Sequence, residues 1–219
     1  MTTANSQTQT AGWPMYRTLV GIGLICALVI VSVFEVTFPI IKVNKQRALE
    51  KAIYQVLADT KSFTAYTLAG NNNLQKVSNN ETSDIYACFD ASQSLIGFAI
   101  PAQGMGYQDT IDLLYGYSIR AQSIQGLVVL QSRETPGLGG KIESSAFLQN
   151  FNGIELDLTS TDTKGQQLLE LIKNTPKTHP RQIDAITGAT ISSRAVVTIL
   201  NRSLAFWLPI IAQQKEHIT

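Results

Sequence analysis

Hydrophobic residues follow a different pattern in each region of the chain. From Thr18 to Phe34 no charged residue interrupts an apolar run, and beyond Glu35 the apolar character continues through Val36, Phe38, Ile40 and Ile41. That is close to the ~20 residues a helix needs to cross a bilayer. Between Lys42 and Asp59 the apolar residues recur instead at helical intervals, at Leu49, Ala52, Ile53, Val56 and Leu57, which predicts an amphipathic helix. Alternation then takes over. Ile85, Ala87 and Phe89 set against Tyr86 and Cys88 predict a strand, Ala91-Ser92-Gln93 a turn, and Leu95 to Ile100 a second strand. Ile111, Leu113, Tyr115 and Tyr117 form one side of a third strand, and Leu127 to Leu130 lie in a fourth. Short spacings between them favour an antiparallel meander over parallel crossovers.

Helical spacing returns around Gln166–Lys173 and after Thr190, where Ile191, Ala195, Val196, Ile199, Leu200, Leu204 and Trp207 share one broad apolar face. Helices flanking a block of strands define an α+β class. The expected organisation is a flexible, uncharged lead over residues 1–16, a single transmembrane anchor over 17–41, an amphipathic stalk or packing helix over 42–59, and one globular domain over 60–219. Residues 70–84, rich in Asn, read as loop. Trp13 and Tyr16 precede the apolar run, where amphipathic rings favour a membrane interface. The run is longer than a signal peptide requires and lacks a clear cleavage site, so it reads as an uncleaved anchor in lipid. Glu35 then lies near the far interface, one turn before Pro39.

Composition narrows the function. In 219 residues, 44% apolar and 15% charged, a formal net charge of +1 leaves no basic footprint for nucleic acid. Cys26 and Cys88 form no Cys-x-x-Cys pair, and with His179 and His217 they supply no ligand pattern for a metal or an iron–sulfur cluster. No Gly-x-Gly-x-x-Gly follows a strand, so there is no nicotinamide fingerprint. Basic residues near the apolar run are Arg17 before it and Lys42, Lys45, Arg47 and Lys51 after it, a count that by itself puts the domain in the cytoplasm.

The most informative stretch runs from Asp184 to Ser193. Thr190 falls at or near a helix N-terminus, where free N–H groups and the positive helix dipole suit a phosphate, and Gly188 allows close approach. On spacing alone, the favoured reading is that Thr187 or Thr190 only caps the helix. A second stretch, Arg133-Glu134-Thr135-Pro136-Gly137-Leu138-Gly139-Gly140-Lys141, demands a tight turn, which a plain surface hairpin also satisfies. A third, weaker one is Gly104-Met105-Gly106-Tyr107 running into Ile111.

Asp-x-x-Thr-Gly-Ala-Thr resembles the flavinylation motif of the G subunit of Rnf electron-transport complexes and of the related C subunit of sodium-translocating NADH:quinone oxidoreductase. The second stretch resembles the Glu-Thr-Pro-Gly-Leu-Gly signature of the same FMN-binding domain. The resemblance implies covalent FMN held through a phosphoester to Thr190, with Asp184 read by a flavin transferase or orienting the loop. Thr187, Gly188 and Ala189 would shape that loop, and Ser192 and Ser193 would donate to phosphate or fill the first helical turn. Leu138 would touch the isoalloxazine, and Glu134, Thr135, Gly137 and Gly139 would supply polar or backbone contacts beside it. Lys177, Arg181 and Arg194 are nearby cations, and Tyr107 is an aromatic able to stack. The resemblance further implies partners in the other membrane subunits of an Rnf-type complex, a flavin domain outside the bacterial inner membrane, and an electron relay that is no complete enzyme alone. The alternatives are an anchored FMN domain of another respiratory or regulatory complex and a flavin-free anchored scaffold.

Overall fold

The computed structural model describes residues 12–70, 73–77, 83–156 and 168–214. Helix α1 spans Gly12–Val56 without a break. It starts inside the stretch read as a flexible lead, because Pro14 loses no hydrogen bond in a first turn and its carbonyl accepts one from Thr18 Oγ1 at 2.9 Å. Residues 1–11 lie outside the described residues.

The chain divides into two compact units after Arg47. In the first, α1 exposes Leu19, Val20, Leu24, Leu28 and Phe34 on every side, with no apolar residue of its most hydrophobic window buried. A helix that is apolar and exposed all round has the length and character of a membrane span. Beyond the short helix α2 (Ser145–Leu148), helix α3 (Thr190–Gln214) is also long and apolar, but half of its corresponding window is buried inside the second unit, which marks it as a core helix.

The second unit is built on a seven-stranded sheet in the order β2-β1-β3-β4-β5-β6-β7, antiparallel throughout. Strands β3 (Ile85–Phe89), β4 (Leu95–Met105), β5 (Thr110–Ser118) and β6 (Ser123–Gln131) form the meander that the alternation predicts. Period-two alternation sends successive side chains to opposite faces. Phe98, Ile100, Ile111, Leu113 and Tyr115 pack with Val196, Leu200 and Leu204 of α3, while Ala99, Leu114, Tyr86 and Cys88 pack with Ala52, Ile53 and Val56 of α1. Burial pushes the Cys88 thiol up to about 11, so it is protonated and inert at neutral pH.

Gly116 and Gly126 are register partners on β5 and β6 and leave a flat spot for the last turn of α1. A Cβ on Gly116 would strike the Val56 carbonyl, which is backbone and has little room to move.

The structure differs from the sequence reading in several places. Residues 170–172 of the expected Gln166–Lys173 helix form a strand, β8 (Glu170–Ile172), paired in parallel with β9 (Gln182–Asp184); Gln166 and Gln167 lie outside the described residues. The Asn201 amide of α3 brackets Leu169, accepting from its N–H at 2.8 Å and donating to its carbonyl at 2.9 Å, and so holds the chain extended there. Within the expected loop 70–84, Asn73–Lys76 forms edge strand β2, whose Leu74 N–H donates to Gln214 Oε1 at 2.9 Å. Strands β1 (Ser62–Ala69) and β7 (Ile154–Glu155) complete the sheet; β1 puts Phe63 and Ala65 against one core and Tyr66 and Leu68 against the other, and β7 is only two residues long.

Replacing Gly116 by Val is expected to destabilise the domain by about 1–3 kcal/mol through overpacking against α1. Denaturant unfolding of the full chain in detergent measures this, and an unchanged midpoint would show that α1 seats elsewhere.

Candidate functional site

Three segments far apart in sequence converge at the N-terminal end of α3. The first is the turn between β4 and β5, closed by Gly106 N–H donating to the Asp109 carbonyl at 2.9 Å. The second follows β6, where the N–H groups of Leu138 and Gly140 both donate to the Thr135 carbonyl, at 3.2 and 3.0 Å, and Gly137 takes φ 76°. The third leaves β9 and enters α3 at Thr190, with Gly188 at φ 84°, a conformation side chains disfavour.

Ser193 fixes the third segment. Its hydroxyl accepts from Ile186 N–H and donates to the Ala189 carbonyl, both at 3.0 Å, and its own N–H donates to the same carbonyl at 3.0 Å. The residue is fully buried, so its hydroxyl shapes the loop from within.

Glu134 joins all three segments. Its Oε1 accepts from the N–H groups of Tyr107 and Gln108, at 2.8 and 3.0 Å, and its Oε2 accepts from Ser192 Oγ at 2.5 Å. Only 6% of the residue is exposed. Burial opposes its ionisation, but the Ser192 hydroxyl and the N–H groups of Gln108, Tyr107 and Asp109 together outweigh that and hold its carboxyl below the usual glutamate value. Close approach requires glycine on either side: a Cβ at Gly106 or Gly139 would run into this carboxylate. Asp109 and Arg133 add an exposed ion pair at 3.2 Å, and Thr135 Oγ1 donates to Gln108 Oε1 at 3.2 Å.

The convergence leaves a cleft of about 430 Å³. Glu134, Thr135, Leu138 and Gly139 line one side and Gly188, Ala189, Thr190 and Ser192 the other. Tyr107, Leu138 and Ile191 are 65%, 52% and 56% exposed beside it, an apolar wall open to a ligand. Lys173 supplies the cation among the described lining residues.

Of the residues singled out in the sequence, Asp184, Thr187, Gly137 and Ser193 do not line the cleft. Asp184 pairs instead with Lys177 at 3.2 Å, and Arg181 Nε donates to the Glu155 carbonyl at 3.1 Å, so neither of those cations faces the cleft. Lys173 escaped notice because it follows a short strand read as helix. Ile191, counted with the core face, is an apolar residue of α3 that turns outward. A separate depression of about 460 Å³ holds the His179–Glu170 pair and none of the motif residues.

The cleft has the donor chemistry a flavin mononucleotide needs: helix N–H groups near Thr190 for phosphate, a Lys, and apolar surfaces for a ring system. Residues 106–205, which contain all three segments except the approach through Met105, match the FMN-binding domain family. The chain is 29% identical over 189 residues to the G subunit of the ion-translocating oxidoreductase complex of Methanosarcina acetivorans, covering 86% of this chain and 90% of that one. It is 27% identical over 172 residues to the G subunit of the proton-translocating ferredoxin:NAD(+) oxidoreductase complex of Clostridium ljungdahlii, covering 78% of each. Among solved structures, the C subunit of the Na(+)-translocating NADH-quinone reductase of Parabacteroides distasonis shares the fold, with a TM-score of 0.53 at 19% identity over 69% of this chain and 78% of that one.

Glu134→Ala strands the N–H groups of Tyr107 and Gln108 and is expected to cost about 2–4 kcal/mol, with Glu134→Gln costing less because one acceptor remains. Because the folded carboxyl titrates below its unfolded value, its contribution is fully present above the ordinary glutamate pKa and is lost as pH falls through the lowered one. Acid unfolding curves should therefore be flatter in Glu134→Gln; identical curves for wild type and variant would remove Glu134 from this role.

Proposed function

We propose that the chain, whose residues 106–205 match the FMN-binding domain family, is the electron-carrying G subunit of a membrane-bound Rnf-type complex. In this reading electrons pass through FMN joined by a phosphoester to Thr190 Oγ1, as one stage of ferredoxin/NAD electron transfer coupled to ion movement. The observation that carries it is the meeting of both motif loops at one cleft, with Thr190 at the first turn of α3.

FMN supplies one- and two-electron redox chemistry when bound; the chain supplies binding and orientation. The N-terminal dipole of α3 and Lys173 favour the remaining phosphodiester charge. Leu138, Ile191 and Tyr107 give the ring an apolar surface, and Gly188 keeps side chains out of its path. Thr135 offers a hydroxyl at the rim.

Acid–base chemistry supports maturation by a separate flavin transferase. An unassisted Thr hydroxyl is a weak nucleophile. Glu134, the carboxylate among the described lining residues, is engaged by the Ser192 hydroxyl and by backbone N–H groups and held at a lowered pKa, so it is a poor base for Thr190. Asp184, paired with Lys177 on the surface, is available for the transferase to read.

We place α1 across the bacterial inner membrane as a single span in lipid, with the flavin domain on the periplasmic side. There an ester bond prevents loss of the cofactor. The cations that follow the span run against this orientation, but large domains translocate largely regardless of charge.

Chain made together with a flavin transferase and purified under denaturing conditions is expected to carry the mass of one flavin phosphate ester, and Thr190→Ala to lack it. Unmodified wild-type chain, with a control protein modified by the same transferase, would overturn the assignment.

A further inference from the structure

Beside the cleft, on the outward side of α3, lies a shallow groove of about 330 Å³ bounded by Met105, Ile191, Arg194, Thr198 and Arg202. Ile191 is common to both depressions and forms the wall between them. Met105, at the β4–β5 turn, is 68% exposed. Thr190–Gln214 contains Arg194 and Arg202 but no Asp, Glu or Lys. Both arginines are exposed, and among the described residues neither forms an ion pair or a hydrogen bond. No carboxylate is among the described residues lining the groove; beside the adjoining cleft, Asp109 is paired with Arg133, and Glu134 is buried under its own donors.

We infer that this groove is the docking surface for an electron-carrying protein with an acidic face. The inference rests on the flavin reading of the adjoining cleft. A partner seated on Met105 and Ile191 lies one side chain away from that cleft, and each electron leaving the flavin enters the partner's redox centre, or the reverse, with no groove residue changing oxidation state. An exposed methionine adapts to varied apolar surfaces, and flanking guanidinium groups match carboxylates bidentately. Charge-rimmed contacts of this kind speed encounter and allow quick release, as a transient relay needs. Two arginines fall short of the roughly four to eight basic residues with which a protein recognises an anionic membrane, so an acidic protein face is the better match.

The test uses the full chain in phosphatidylcholine nanodiscs at low salt, with flavodoxin as an acidic carrier and cytochrome c as a basic one. Flavodoxin is expected to bind and cytochrome c not. In Arg194→Glu/Arg202→Glu the flavodoxin Kd should rise about tenfold or more and lose its salt dependence, with cytochrome c gaining affinity. Arg194→Gln/Arg202→Gln should shift the flavodoxin Kd less, in the same direction, and Met105→Asp should weaken flavodoxin at unchanged thermal midpoint. Flavodoxin affinity that ignores the arginines in flavin-bearing chain overturns the docking surface, as does arginine-dependent binding to added phosphatidylglycerol vesicles with none to flavodoxin. A chain found without flavin that still binds flavodoxin through the arginines overturns the flavin reading and supports the surface.

Discussion

A carboxylate buried where three loops meet is the constraint on which the site depends. Among the described residues Glu134 has no counter-ion within hydrogen-bond reach; its charge is held by N–H groups of the β4–β5 turn and by a hydroxyl from the first turn of α3. Leaving such a charge unsatisfied would be costly, so the three segments are obliged to stay together even with the cleft open. The same bonds lower its basicity, which suits a residue that organises a binding site and does not exchange protons in it. Glycines at 106 and 139 belong to this constraint, because any side chain there would displace the carboxylate.

The sheet makes this meeting possible. Its meander brings the β4–β5 turn and the end of β6 to the same end of the sheet, and α3 crosses the face formed by Phe98, Ile100 and Leu113 so that its N-terminus arrives there. On the opposite face the last turn of α1 settles on the Gly116 and Gly126 pair. Thus Ala52, Ile53, Val56 and Leu57 belong to the domain's second core.

Much of this was legible in the sequence, and the parts that were not share a physical cause. Strands β3 to β6 are long enough for period-two alternation to show, and α3 is long enough for its 3.6-residue spacing to show. Strands β8 and β9, each with three residues, carry too little pattern, and the extended backbone at Leu169 is imposed from 32 residues away by Asn201. The motif residues around Thr190 and Leu138 stand out by composition. Glu134 was visible as a motif member, but its partners, 26 to 58 residues distant, were not. Lys173 and the outward turn of Ile191 likewise depend on packing that no local rule records.

The reading assigns the hard chemistry to the cofactor and leaves to the chain its placement, its attachment and the approach of partners. The most direct test is electron flow in the assembled complex carrying Thr190→Ala in this chain, measured as ferredoxin-dependent NAD reduction by membranes. The expected result is a complex that assembles normally and turns over at background rate. Assembly with wild-type turnover would contradict the account, because electrons would then be passing without the flavin that this domain is proposed to hold.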